Sequence, residues 1–337
     1  MSTTSNSLVS LSIAARMTLN VHSLNNEGGE GNQIQTRMID IVGEDNVLHN
    51  VNAISGDMLK HVLMEHYYRR AKEEHISLCT SCQRFNVNRI NADDTFLKKT
   101  KGIKDADFID QLLQHCAMDD IGGILVTEEK RSVPRKSICE FGWVVALPEL
   151  SRTESYFHVK YASERGENKR KEDANDQEKT GANRGQNIFH RPASSGVYAF
   201  VCHLELGRIG YNDITQSYAI SEEERQKRAA LLLEGVMYSF LELNGAMRST
   251  QLPHLVALEG FISTSDSAIP APLLSPLMGG SDREHRFAYR KQAQEIATAL
   301  NGQGPEHVRL HSFDTLSEFA QRMRSLIDTS TPQALTF

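Results

Sequence analysis

With 337 residues, 39% of them hydrophobic and 24% charged, the chain has the composition of a folded globular protein with one large core or two modest ones. A net charge of −6 excludes a uniformly basic nucleic-acid binder, so any site for a polyanion must be a local surface. The sequence has no signal-peptide pattern, no apolar run of membrane-spanning length and an odd number of cysteines, five, so we expect a cytoplasmic protein without a membrane partner.

Residues 8–21 alternate between apolar and mixed side chains, which predicts a strand. One face of this strand carries Leu11, Ile13, Ala15, Met17, Leu19 and Val21. A loop with the sequence EGGEGN follows at residues 27–32, and no large apolar side chain occurs before Ile34. Glycine lets a phosphodiester backbone approach the main-chain amides closely, so the loop is a candidate contact for such a backbone. A surface turn that tolerates glycine is the alternative.

Residues 54–75 place apolar side chains at helical spacing, which predicts a helix. Either Ser55 or Asp57 can cap its first turn. The stretch over residues 75–104 has no regular pattern, and a second helix is predicted over residues 105–118.

Two further strands are predicted over residues 121–129 and 138–147, because both are rich in branched and aromatic side chains. Composition then changes over residues 160–184, which contain seven Lys or Arg and six Asp or Glu. Such a segment cannot bury enough apolar surface to offset its ordering entropy. We therefore expect a mobile insertion that rises from two antiparallel strands.

Regular patterns return after this insertion. Residues 196–210 alternate as a strand, and residues 221–244 predict a helix that begins with the capping box Ser221-x-x-Glu224. A glycine-led basic loop follows at residues 245–254. The remaining predicted elements are a strand at 255–264 and helices near 281–300 and 314–328. Two strand-helix-strand halves predict an α+β fold with ferredoxin-like βαββαβ order, in one elaborated domain over residues 1–337.

The sequence contains no recognisable catalytic motif: it has no G-x-S-x-G elbow, no H-E-x-x-H and no Walker loop. Cys79-x-x-Cys82 is more specific, because this spacing lets both thiolates reach one tetrahedral zinc. His75 and either His115 or Cys116 are the candidates for the other ligands. A structural zinc is one interpretation, and buried or surface thiols are the other.

Basic residues gather in separate places, which suggests a track for a polyanion despite the overall acidity. They are Lys60, Arg69, Arg70, the lysines of 98–104, the basic residues of 130–136, the insertion, Arg191 and Arg248.

Several motifs in order resemble the CRISPR-associated DevR autoregulator family of the RAMP superfamily. The matching segments are HSLNNEGGEGN at 22–32, Thr36-Arg37, ISGDMLKH at 54–61, DIGGILVTEE at 120–129, FGWVVAL at 141–147, QNIFHRPASSGVYAF at 186–200 and GAMRSTQLPHL at 245–255. The family supplies the guide-RNA-binding backbone subunit of type I Cascade complexes of the I-A and I-B kind. The resemblance implies a non-catalytic protein that requires no cofactor for its function. The possible structural zinc rests on the cysteine spacing alone.

The resemblance also implies an architecture and partners. The fold would be a modified RRM-like palm, with a fingers insertion at 62–120, a thumb at 150–192 and a C-terminal helical segment at 280–337. Copies of the chain would stack head-to-tail along one crRNA beside other Cascade subunits. Target DNA would then be read through pairing with the guide.

The candidate contacts to crRNA follow from the motifs that carry the resemblance and from the basic positions beside them. They are Arg16, Asn25, Asn32, Arg37, Ser55, Gly56, Lys60, Arg69, Arg70, His190, Arg191 and Arg248. An alternative is a RAMP-type endoribonuclease, in which Glu27, Glu30 or His22 would cleave RNA near the first glycine loop. A DNA-binding regulator is a third interpretation, but no helix-turn-helix pattern favours it.

Overall fold

A computed structural model describes residues 6–127, 131–161, 186–282 and 285–335. The strands are β1 (Asn6–Leu8), β2 (Ser10–His22), β3 (Asn26–Glu30), β4 (Gln33–Thr36), β5 (Met38–Val42), β6 (Leu48–Ile54), β7 (Ile124–Val126), β8 (Val133–Arg135), β9 (Cys139–Phe141), β10 (Val144–Tyr161), β11 (Gln186–Leu204), β12 (Tyr211–Asn212), β13 (Ser217–Tyr218), β14 (His254–Ser265), β15 (Val308–Phe313) and β16 (Ser330–Pro332). The helices are α1 (Gly56–Glu73), α2 (Asp94–Lys99), α3 (Asp105–His115), α4 (Ala117–Gly122), α5 (Glu222–Leu241), α6 (Ala288–Asn301) and α7 (Leu316–Thr329). Within these ranges, no helix combines the length and the apolar character that crossing a bilayer requires.

The main sheet has β2 near its centre, and the predicted α+β class is confirmed. Its strand order is β15-β14-β2-β11-β10-β6-β5. The four strands β14, β2, β11 and β10 are antiparallel neighbours throughout. In chain order, α1 lies between β2 and β10, and α5 lies between β11 and β14.

The sheet is covered on both faces, which explains why β2 is buried almost along its whole length. The predicted apolar face of β2 packs in the core that also contains residues of α1, α5 and α7. On the opposite face, Ala14 and Phe261 pack against Tyr289 and Ala293 of α6. Val21 departs from the predicted face, because its φ of +55° turns the strand end and leaves its side chain 51% exposed.

A long two-stranded ribbon extends from the sheet. Beyond an irregularity between Ala146 and Ser151, β10 and β11 pair antiparallel from Ser151 and Gly196 to Tyr161 and Gln186. The predicted antiparallel strands at the base of the insertion are thus confirmed. The predicted mobility of residues 160–184 falls almost entirely on residues 162–185, which lie outside the described residues.

Several local predictions are wrong. The glycine loop is a hairpin in which β3 pairs with β4, and both faces carry polar side chains, so hydrophobic periodicity could not reveal it. Residues 121 and 122 end α4 and do not belong to a strand. The irregular stretch over residues 75–104 contains α2. The edge pair β5 and β6 and the strand β15 were not predicted.

Candidate nucleic-acid interface

The glycine hairpin, defined as residues 26–36, is fixed to the start of α1. Asn25 makes this connection, because its side-chain oxygen accepts a hydrogen bond from the Ser55 N–H at 2.7 Å. The Asn25 carbonyl also accepts from the Arg37 N–H at 3.0 Å. Ser55 in turn caps α1 by accepting from the Met58 N–H at 3.3 Å. Asn25 and Ser55 therefore hold main chain in place, which is a structural role whether or not RNA also contacts them.

The hairpin also contacts the ribbon and the loop over residues 245–251. The His190 N–H donates to the Asn32 carbonyl at 2.9 Å, which joins the hairpin tip to β11. The Ala246 N–H donates to the Leu24 carbonyl at 2.9 Å, and Gln251 Nε2 donates to the Pro192 carbonyl at 3.0 Å. Four segments that are far apart in sequence thus form one surface. We call it the hairpin surface: residues 25–37, 55–56, 189–192 and 245–251.

Glycine serves two different purposes here. Gly28 and Gly31 have φ values of +126° and +60°, and a side chain at either position would point into open space. Their backbone conformation alone explains these glycines. At Gly56, by contrast, a Cβ would lie 2.6 Å from the Phe141 carbonyl oxygen, so close packing of α1 against β9 requires glycine there.

Arg37 and Arg191 are two of the three predicted arginine contacts on the hairpin surface, and Arg248 is the third. Arg37 pairs with Glu27 at 3.1 Å, and its guanidinium lies 5.4 Å from the centre of the Trp143 ring. Arg191 has no ion pair within the described ranges, and its Nε is buried without a hydrogen-bond partner. The neighbouring His190 ring contacts Phe157 edge-to-face at 5.7 Å. Arg191 is thus the cation of this surface with the most hydrogen-bonding capacity left over.

Lys60 lies one turn further along α1 and lines a separate cavity of about 300 Å³. His61 and Arg89 line the same cavity. Lys60 makes no hydrogen bond or ion pair in the part of the chain that the structure describes, and burial lowers the pKa of its ammonium group. An anion in this cavity would offset that desolvation.

The remaining predicted cations are engaged in ion pairs. Arg248 donates to Glu242 at 3.1 Å and to the side chain of Asn244. Arg69 pairs with Glu65, and Arg70 pairs with Glu234 of α5 at 3.0 Å. The hydrogen bond to the Glu234 carboxylate is the largest of the effects that raise the pKa of Arg70. Arg70 thus attaches α1 to α5, Arg69 pairs within α1, and neither is a free cation in this structure.

Arg16 is a correction to the sequence analysis. Its side chain is buried, with Nε donating to the Pro276 carbonyl and Nη2 to the Met278 carbonyl, both at 2.8 Å. The position lies on the polar face of β2, which the segment around residue 276 covers. Arg16 therefore stabilises the packing of that segment and does not reach the hairpin surface.

Exposed aromatic side chains were missed by the sequence analysis. Trp143, Tyr156 and Phe157 are 40%, 50% and 59% exposed. Tyr156 pairs directly with Arg191 across the ribbon. Exposed aromatic side chains beside Arg37 and Arg191 are candidates for contact with a ligand, and only the folded structure shows this position. Flat aromatic faces beside cations suit stacking with unpaired bases.

Among the residues proposed for cleavage, His22 is poorly placed, and Glu27 is paired with Arg37. His22 is 1% exposed, both ring nitrogens lack hydrogen-bond partners, and its ring meets Tyr198 edge-to-face at 5.1 Å. Burial lowers the pKa of His22 to about 4. A general base must reach the proton that it removes, and this imidazole reaches neither solvent nor the hairpin surface.

A separate cluster contains Cys79, Cys82, Cys116 and Asp119, whose ligand atoms all lie within 4.8 Å of one another. All four side chains are buried. His75 is not part of the cluster, which corrects the predicted ligand set. It lies exposed in a turn with φ +55° just after α1, while α4 brings Asp119 to the cysteines.

The comparisons with known proteins agree with the resemblance drawn from the motifs. The family model described as CRISPR-associated negative auto-regulator DevR/Csa2 matches residues 13–281. A protein of Methanocaldococcus jannaschii, described as CRISPR-associated protein Cas7/Cst2/DevR, is 28% identical over 279 residues, covering 77% of this chain and 82% of the relative. A chain of the solved structure titled CRISPR RNA-guided surveillance complex, pre-nicking, has a similar fold, with TM-score 0.50, 12% identity and coverage of 95% and 99%. Since the family model covers most of the sequence, the chain belongs to the DevR/Csa2 family of CRISPR-associated proteins.

Proposed function

We propose that this chain is a non-catalytic, crRNA-binding backbone subunit of a type I Cascade complex. The observation that carries the proposal is the hairpin surface, where four family-matching segments meet through hydrogen bonds that each involve at least one main-chain group. The cations Arg37 and Arg191, beside glycines that add no side-chain bulk, suit phosphate groups. Trp143 and Tyr156 supply faces on which displaced bases would stack.

The same proposal assigns roles to the larger parts of the fold. The strand order β14-β2-β11-β10, with α1 and α5 as connections, supports an RRM-like palm. Residues 62–120 would be the fingers, and residues 150–192, which include the ribbon, the thumb. The C-terminal segment 280–337 contributes α6 and α7 to opposite faces of the sheet. We infer that the thumb is the part that bends RNA, because it carries the exposed side chains of Tyr156 and Phe157.

Several copies would stack head-to-tail on one guide RNA beside other Cascade subunits, and target DNA would pair with the guide. The edge of the main sheet supports contact between copies. Its last strand β5 and the neighbouring β6 expose Val42 and Leu48, which are 65% and 64% accessible. Exposed apolar side chains at a sheet edge favour association with another chain.

The burial of His22 and the Glu27–Arg37 ion pair favour the non-catalytic role over the endoribonuclease. Incubating RNA-loaded protein with a complementary RNA separates the two. Uncleaved RNA agrees with our proposal, and regularly spaced fragments would establish the endoribonuclease instead.

Retention of guide RNA tests the surface directly. The double variant Arg37→Ala with Arg191→Ala is co-expressed with a guide transcript, and the RNA that co-purifies is quantified. We expect strong loss of RNA, and in binding to single-stranded RNA a decrease of about 0.7 in salt slope for each phosphate contact removed. The control is Lys291→Ala on α6, an 82% exposed cation away from the surface. Equal RNA yield and equal salt slope in both variants would refute the assigned site.

A further inference from the structure

We propose that Cys79, Cys82, Cys116 and Asp119 bind one structural zinc ion, independently of any RNA. The four ligands come from three short segments: the turn after α1, the junction between α3 and α4, and the first turns of α4. Three thiolates and a carboxylate on one centre form the tetrahedral donor set that zinc prefers in closed structural sites.

The distances between ligand atoms fit a single ion. Ligand atoms at about 2.0 Å for oxygen and 2.3 Å for sulfur from one tetrahedral centre lie about 3.5 to 3.8 Å apart. Asp119 Oδ2 lies 3.7 Å from Cys79 Sγ and 3.8 Å from Cys82 Sγ. The Cys82 N–H also donates to Cys79 Sγ at 3.3 Å. A backbone amide that donates to a ligating sulfur is the kind of outer contact that orients metal ligands.

The two adjacent carboxylates of α4 show what Asp119 lacks. Asp120 is fully buried, and it accepts hydrogen bonds from Arg135 at 2.6 Å and from Arg228 at 3.0 Å. Asp119 is equally buried, yet its Oδ1 has no hydrogen-bond partner and its Oδ2 lies against the thiols of Cys79 and Cys82. The Ile90 N–H and the Arg89 guanidinium also act on this carboxylate, but neither forms an ion pair with it like those of Asp120. A buried carboxylate without a directly paired cation is costly. Zinc would supply the missing positive charge to Asp119 and to the sulfurs together.

Such an ion would be structural in role. All four ligands come from the protein and all are buried, so no coordination position faces solvent or a substrate. It would join the segment after α1 to the end of α3 and to α4. The region linked in this way contains only short helices and turns between residues 76 and 123. Regions with so little regular structure gain more from a metal cross-link than the main sheet would.

Metal analysis of the full-length protein tests the proposal. We expect about one zinc per chain by elemental analysis, and Co²⁺ exchanged into the protein should show the absorption bands of tetrahedral thiolate coordination. Cys82→Ser and Cys116→Ser should each lose most of the metal. The matched control is Cys202→Ser, which alters a buried cysteine outside the cluster and should keep the zinc. His75→Ala should also keep the zinc. This result would distinguish the ligand set with Asp119 from the set with His75 that the sequence predicted.

A cysteine variant could lose zinc because it misfolds, so the wild-type protein provides a second measurement. A chelator should lower its melting temperature, added Zn²⁺ should restore it, and the cluster thiols should react faster when metal-free. Wild-type protein that contains no zinc after expression in zinc-rich medium, and that takes up neither Zn²⁺ nor Co²⁺, would overturn the proposal. Loss of RNA binding alone would not bear on it.

Discussion

Protonation of His22 should destabilise the protein as the pH falls. The side chain is buried beside Tyr198, and burial is the cause that lowers its pKa from 6.5 to about 4. Between these values the unfolded chain binds a proton that the folded chain does not. Stability therefore increases with pH through this window and is lost on acidification. The variant His22→Leu removes the titrating group and sacrifices no hydrogen bond, because both ring nitrogens lack partners.

The size of this effect follows from the two pKa values. When the pH is well below both values, a pKa that decreases from 6.5 to about 4 lowers the free energy of unfolding by about 3 kcal/mol. At pH 5 we expect His22 to lower the free energy of unfolding by about 2 kcal/mol, because the folded imidazole is still mostly neutral there while the unfolded one is protonated. At pH 7.5 the contribution is close to zero.

Urea denaturation of both proteins at pH 7.5 and pH 5 measures the difference. Burial also lowers the pKa of His66, His203 and His311, so the wild-type curve alone contains several contributions. These cancel when the variant is compared with wild type at each pH. We expect the free energy of unfolding of His22→Leu minus that of wild type to increase by about 2 kcal/mol when the pH is lowered from 7.5 to 5. If the difference between the two proteins is the same at both pH values, His22 is not buried in the neutral form.

Two further substitutions test the packing around the site. Asp120→Ala leaves Arg135 and Arg228 without their shared buried carboxylate, so we expect a loss of about 3–5 kcal/mol in urea denaturation, against less than about 1 kcal/mol for the exposed partner Asp213→Ala. Equal losses would contradict the assigned burial. Gly56→Ala would place a Cβ 2.6 Å from the Phe141 carbonyl, and we expect a loss of about 1–3 kcal/mol by the same assay. Gly304→Ala, whose nearest contact is 3.6 Å, should be nearly neutral, and a neutral Gly56→Ala would refute the close packing.

The main elements of the fold could be predicted because their periodicity is strong. The alternation of β2, the N-cap of α1 and the capping box of α5 are local signals, and the structure has each element at nearly the predicted residues. The glycine hairpin and the β5–β6 pair lack such signals, because their side chains are mostly polar or exposed. Their position depends on hydrogen bonds to distant segments, which sequence periodicity does not contain.

The candidate site was only partly predictable for a related reason. Residue type identifies a cation, but only the fold determines whether an acidic partner already neutralises it. Arg70 pairs with Glu234, which is 164 positions away in sequence, and Arg16 donates to carbonyls about 260 positions away. Asp119 likewise joins the cysteine cluster because it lies in the first turn of α4, and Cys116 is the N-cap residue of that helix. These are consequences of tertiary contacts, which a single sequence does not specify.

Helix α1 connects the two proposed sites, and its own anchoring keeps their tests separate. Its first turn positions the glycine hairpin through Ser55 and Asn25. Its body is buried through Leu63 and Tyr67, and its last turns are joined to α5 by the Arg70–Glu234 pair. None of these contacts involves the cysteine cluster, which lies after the helix ends. Losing zinc would therefore loosen the segment from residue 76 to residue 123 while the helix keeps the hairpin surface assembled.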